Sequence, residues 1–315
     1  MRIVSLLPSA TEVLYALGAE EEIIGVSHDS DYPPEVRLKP VVSASTIDDS
    51  LTSAEIDSRV GQTYHAGGSI YHLDPRFLER ERPDLIVAQD MCQVCAVTSA
   101  EARRAAELAR SGARILSLEP ATLTDALNDI RTLGEATGRA RAARELVAAV
   151  RAGLTAVSDR LTGARPVRVL CLGWLEPLIS EGHWLPELLR LAGGQDSLAQ
   201  PGEHSRRLEW QEVLALDPEA IILMPCSFSL ARTLSEVQVL GRHPGWDALA
   251  AVRSGQVYAV DSGSFSHPGP RLVAGLEILA RCLHPDRYPG PIPTGAAARL
   301  TVGRRFDGSA FVPVA

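Results

Sequence analysis

Arg2-Ile3-Val4-Ser5-Leu6-Leu7, then Pro8-Ser9, then a helical pattern over residues 10–17 that stops at Gly18, is the passage on which the fold turns. An apolar run that feeds a helix, with a left-handed glycine after the helix end, is strand–turn–helix grammar. Residues 23–26 supply the next apolar run. The same order returns in the second half: an apolar run at 167–172, helical spacing over 184–191, and Gly193-Gly194 to close it. Such an internal echo is informative in its order even where identity is weak. Each half then reaches a short apolar segment introduced by Asp and Pro. In the first it is Pro83-Asp84-Leu85-Ile86-Val87-Ala88, and in the second Asp217-Pro218-Glu219-Ala220-Ile221-Ile222-Leu223-Met224. Both read as buried parallel strands. Further strands are expected at 114–118 and 256–260, each after a helical pattern (99–110 and 246–252), which is the alternation of α/β domains.

Between the halves, residues 123–136 read as one helix, Gly138 as a break, and residues 139–161 as a long helix with Leu146, Val150, Leu154, Val157 and Leu161 near one face. At 1.5 Å per residue it spans about 35 Å, enough to join two lobes as a stiff strut. The expected fold class is therefore α/β: two lobes with parallel sheets flanked by helices, joined by one long backbone helix. The expected division is an N-terminal lobe at 1–121, a helical connector at 122–162 and a C-terminal lobe at 163–284. Pro285, Pro289, Pro291 and Pro293 interrupt any period, so 285–315 reads as an extended or partly mobile tail.

The 315 residues are ample for a core in each lobe. With 31 basic and 39 acidic residues the net charge is −8, so the chain lacks the positive field that nucleic-acid binding needs. No apolar run reaches the roughly 18 residues of a membrane span. Five cysteines, Cys92, Cys95, Cys171, Cys226 and Cys282, are an odd and sparse set that does not read as a disulfide framework. Residues 3–7 are too short for the apolar core of a signal peptide. The expectation is a cytoplasmic protein.

Ligands of open parallel sheets sit beyond the carboxyl ends of strands. The residues that follow the expected strands are rich in rings: His28 and Tyr32, Trp174 and Trp184, Phe228, then Phe265 and His267. Flat side chains around a cleft suit a large, rigid, mostly apolar ligand. Cys92-Gln93-Val94-Cys95 follows a strand as well, and Cys92 joins the candidate ligand-binding set. A lone CxxC reads three ways: incidental thiols, a ligand or metal contact, or a redox pair. His28 and His267 could approach a metal centre, whose identity the residues leave open. No Gly-x-Ser-x-Gly elbow, Walker loop or His-Glu-x-x-His occurs, so catalysis is not expected. The enzymatic alternatives are a CxxC thiol oxidoreductase and a metal-dependent hydrolase.

Residues 2–12, Gly25-Val26-Ser27, Ser30-Asp31-Tyr32-Pro33-Pro34 and Arg82-Pro83-Asp84-Leu85-Ile86 resemble the helical-backbone substrate-binding proteins of metal-chelate ABC importers. The likeness continues through Gly182-His183-Trp184-Leu185-Pro186-Glu187-Leu188 and Leu191-Ala192-Gly193-Gly194 to Pro270-Arg271-Leu272, and is nearest to the vitamin B12-binding branch. It implies two lobes on one long helix and a corrinoid, cobalamin or a relative, held between them by aromatic side chains. Tyr32 falls on a family contact position, and Phe265 and His267 lie in the segment closing the opposite rim. Gln89 stands where members place a Trp. The resemblance also implies permease docking through one acidic residue on each lobe, and Arg76 and Gln211 at those positions make docking doubtful. The expected function is a soluble corrinoid carrier or buffer. The alternative is an exported importer component for B12, a ferric chelate or haem.

Overall fold

The computed structural model describes residues 1–48, 50–90, 96–303 and 305–314. In the first lobe four parallel strands lie in the order Ile23–Val26, Ile3–Ser5, Leu85–Ala88, Arg114–Ser117. The two central strands are buried at every residue, the reason their sequence is apolar without alternation. The helix Pro8–Ala16 follows the first strand, with a proline where no backbone donor is needed, and Gly18 at φ 74° turns the chain away. An antiparallel ribbon of Ser43–Ser45 and Tyr71–Leu73 carries the helix Ser53–His65 between its strands.

The second lobe repeats the plan on a longer sheet: Ile179–Ser180, Val167–Trp174, Ala220–Leu223, Val257–Val260, Ala297–Leu300 and Phe311–Pro313, with Gly194–Gln195 beside Val167–Trp174. Its three central strands are parallel. Helix Leu123–Ala136, capped by Thr122 and Asp125, and the 21-residue helix Ala140–Arg160 join the lobes. The latter is about 32 Å long. It buries Ala143, Val147, Val150, Leu154 and Val157. Gly134 lets the two helices close: a Cβ there would sit 2.3 Å from that of Ala143. One core then runs from Ile3 and Leu85 through Ile130 and Leu154 to Val169, Leu188 and Leu276. The architecture is the two-lobed α/β fold on a backbone helix. Among the described residues no helix is long and apolar enough to cross a membrane.

Residues beyond 285 correct the expectation of a loose tail. Ala297–Leu300 pairs antiparallel with Val257–Val260, and Phe311–Pro313 pairs with it in turn. Tyr288, Ile292, Ala310 and Phe311 are buried. The prolines stop helix Leu272–Leu283 from continuing, but they forbid only helix, and strands this short show no period to read.

Candidate functional site

Two cavities of about 350 Å³ each lie between the lobes. The first is walled by Ile56, Asp57 and Val60 of helix Ser53–His65 and, opposite, by Trp174, Ile179, Glu181, His183, Trp184, His204 and Cys226. The second is walled by His28, Ile47, Ile70 and Tyr71 on one side and by Trp174, Cys226, Phe228 and Arg232 on the other. Ile56, Val60, Trp174 and Cys226 touch both. Trp174 ends a strand of the second lobe, and its ring tilts against Phe228 at 5.1 Å between centroids.

Helix Ser53–His65 closes the mouth of this cleft. Its first backbone N–H, at Ser53, donates to Glu236 Oε2 at 2.9 Å, and Trp174 Nε1 donates to Ser53 O at 3.1 Å. Arg207 Nη2 lies 2.8 and 2.9 Å from the two oxygens of Asp57. Arg232 pairs with Glu236, stacks over Phe228 at 4.7 Å and donates to Leu51 O. At the inner end a second set of contacts joins the lobes. Arg271 Nη2 is 2.5 Å from Glu12 Oε1, His267 Nδ1 is 3.4 Å from the same oxygen, and Arg271 lies over the Tyr32 ring at 4.6 Å.

The first cavity contains an unusual polar corner. Burial, helped by Cys226 and Asp196 and opposed by a backbone hydrogen bond at Gly182, pushes the Glu181 carboxyl up to about 8. Gly173 makes room for it, since a Cβ there would stand 2.7 Å from Glu181 Oε1. His183 sits beside it in left-handed backbone at φ 56°, its Nε2 3.1 Å from His204 Nδ1. Burial, then His204, draws the His183 imidazole down, toward the neutral form. Cys171 and Cys282 are buried thiols pushed up by desolvation, Cys282 to about 12, which leaves them poor nucleophiles. Among the described residues no group of three or more His, Cys, Asp or Glu is placed to hold a metal ion. What the arrangement offers is an apolar, ring-lined slot with a cluster of polar groups at one end.

The expected site residues separate. Trp174 divides the cavities, Phe228 backs it, and His28 lines the second cavity with Nδ1 2.9 Å from Ser43 Oγ. Trp184 lines the first cavity but is 5% exposed, with Nε1 donating to Phe265 O at 2.9 Å, so most of the ring is core. Phe265 is a correction: at 1% exposure it belongs to the core, packed on Gly275, where a Cβ would come within 3.0 Å of the ring. The residue after it, Ser266, faces the cavity instead. His267 is engaged with Glu12 and Arg271, and Tyr32, 45% exposed, lines neither large cavity. Cys92 and Cys95 lie outside the described residues. Glu181, His204 and helix Ser53–His65 were not among the expected residues. Their available signals were Gly173 and Gly182, which a crowded site requires, and the Thr52–Glu55 capping box.

Comparison with known proteins adds four findings. A family model described as periplasmic binding protein matches residues 80–263. A vitamin B12-binding protein of Vibrio cholerae is 25% identical over 282 residues, covering 88% of this chain and 86% of that protein. The uncharacterised ABC transporter substrate-binding lipoprotein YvrC of Bacillus subtilis is 24% identical over 294 residues, covering 91% of this chain and 81% of its own length. Among solved structures, a periplasmic haem-binding protein from Pseudomonas aeruginosa shares the fold with a TM-score of 0.69 at 21% identity, over 90% of this chain and 93% of that one.

Proposed function

Because the chain belongs to the periplasmic binding protein family, we propose that it holds a cobalamin-type corrinoid between its lobes. The observation that carries this reading is Trp174, which stands between two cavities that both lobes line, with Phe228 behind it. A flat macrocycle laid on such rings gains contact area at low entropic cost. A corrin is larger than either cavity, so its entry requires helix Ser53–His65 to lift from the second lobe. The vitamin B12-binding relative favours a corrinoid over a ferric chelate or haem. Calorimetric titration with cyanocobalamin and with haemin tests the reading. Saturable binding of cyanocobalamin that raises the melting temperature supports it, and binding of haemin alone overturns it.

The family is one of binding proteins, and membership implies an ABC permease as partner. Helices Pro75–Glu81 and Trp210–Leu216 begin with exposed Arg76 and Gln211, one on each lobe, and Glu79 and Glu209 are exposed beside them. Glu79 and Glu209 are the carboxylates through which docking would proceed; Glu212 is already paired with Arg206 at 2.8 Å. A carrier that keeps its corrinoid apart from any permease is the second reading, favoured by the positive charge of Arg76. Stimulation of a B12 permease ATPase that is lost in Glu79→Ala with Glu209→Ala decides for docking, and no stimulation by the wild-type protein decides for the carrier.

A further inference from the structure

The polar corner of the first cavity goes beyond holding a macrocycle, and it rests on the corrinoid reading above. We infer that Glu181 is a specificity-determining residue that pairs with a primary amide on the rim of the bound macrocycle, so that the site takes amide-rimmed corrins and refuses carboxylate-rimmed ones.

The geometry comes first. Glu181 lines the same cavity as Trp174, where a ring lying on that indole would bring its peripheral substituents. The carboxyl lies over Gly173, where a Cβ would stand 2.7 Å from Oε1, so a larger residue there would push the carboxyl aside. The groups facing it are Cys226 from the loop after Ala220–Leu223, Asp196 after Gly194–Gln195, the His183–His204 pair, and Asp57 across the cleft. No Lys or Arg is among the described residues lining the first cavity, and Arg232 in the second is tied to Glu236. The flanking guanidiniums are taken as well, Arg206 by Glu212 and Arg207 by Asp57.

With its carboxyl pushed up to about 8, Glu181 is a neutral acid at pH 7. A carboxylic acid and a primary amide match in both directions: the acid O–H donates to the amide oxygen, and an amide N–H donates to the acid carbonyl. No charge is desolvated. A ligand carboxylate offers acceptors only and brings a buried charge with no cation to meet it, which is costly. Above pH 8 the acid must regain a proton before an amide rim can cover it, so affinity falls with rising pH.

The test uses dicyanocobinamide, whose rim carries amides, and dicyanocobyrinic acid, the same ring with carboxylates, titrated into the whole chain by calorimetry. At neutral pH the amide corrin should bind at least roughly tenfold tighter. Between about pH 8 and about pH 9 its affinity should fall by up to tenfold, the limit for uptake of one proton per ligand. Glu181→Gln, which keeps an amide-matching group, should retain binding and lose that pH dependence, and Glu181→Lys should shift preference toward the acid-rimmed corrin. Equal affinity for the two corrins, or a Glu181→Gln profile that still falls with pH, overturns the inference while the corrinoid reading stands. Binding of neither corrin overturns both.

Discussion

The lobes meet at two ends of one cleft, and the two ends are built differently. At the inner end Glu12 and Arg271 are 2% and 17% exposed and adjoin a continuous apolar core. At the mouth Arg207 and Asp57 are 65% and 27% exposed, and the other ties are hydrogen bonds at the backbone of Ser53 and Leu51, one of them to the buried carboxylate of Glu236. Removing one partner of a buried ion pair strands a charge out of water, whereas an exposed pair contributes little. The inner contact is therefore expected to fix where the lobes sit, and the pair Arg207–Asp57 to yield first.

The sharpest way to break this contrast is Glu12→Ala, which takes away the buried carboxylate of Arg271 and leaves only the exposed Asp31 at 3.7 Å. It should cost about 3–5 kcal/mol of unfolding free energy in urea denaturation; a loss under about 1 kcal/mol would show that the inner end is no firmer than the mouth. Next in size is Trp174→Ala. It removes the ring shared by both cavities and the hydrogen bond to Ser53, and should weaken corrinoid binding by about 1–3 kcal/mol in titration with the fold retained. If binding is unchanged, the ligand does not lie on that wall.

A smaller effect comes from Asp129, which lines a small cavity near His267. Burial, aided by Asp125 and Glu119, pushes its carboxyl up to about 7. Its folded value lies above the roughly 3.9 of an unfolded chain, so the neutral acid's contribution is full below about pH 4 and is lost as the pH rises to about 7. Asp129→Asn should flatten that part of the stability–pH curve, and an identical curve would place Asp129 in water. The smallest is Arg207→Ala at the mouth: at most about 1 kcal/mol in stability, with faster corrinoid release in stopped-flow measurement. Slower release would mean that the Asp57–Arg207 pair does not hold the mouth shut.

What the sequence made legible follows from where burial leaves a mark. Strands such as Leu85–Ala88 and Ala220–Leu223 are covered on both faces, so their apolar runs stand out, and helix Ala140–Arg160 writes its buried stripe at regular spacing. Helix Ser53–His65 buries only Ser53 completely, and its short apolar face of Ile56, Val60 and Tyr64 is only half-buried, so periodicity marks the element that closes the cleft weakly. Phe265 shows a finer limit. The rim after Val257–Val260 was identified, but which of Phe265 and Ser266 turns inward depends on the space at Gly275, on another helix. Glu181 has only the neighbouring Gly182 and the more distant Gly173 as marks, because its setting is made by Gly173 and by the loop after Ala220–Leu223.

The strands beyond residue 285 have a consequence for the behaviour of the chain in concentrated solution. Without Ala297–Leu300, strand Val257–Val260 would present an unpaired row of backbone donors and acceptors under four buried apolar side chains. Such an edge recruits strands from other molecules. Phe311–Pro313 moves the edge outward to a three-residue strand that ends in a proline, which has no N–H to offer a neighbour. Proteolytic loss of this last segment would turn a discrete protein into one prone to aggregate, with the ligand cleft itself untouched.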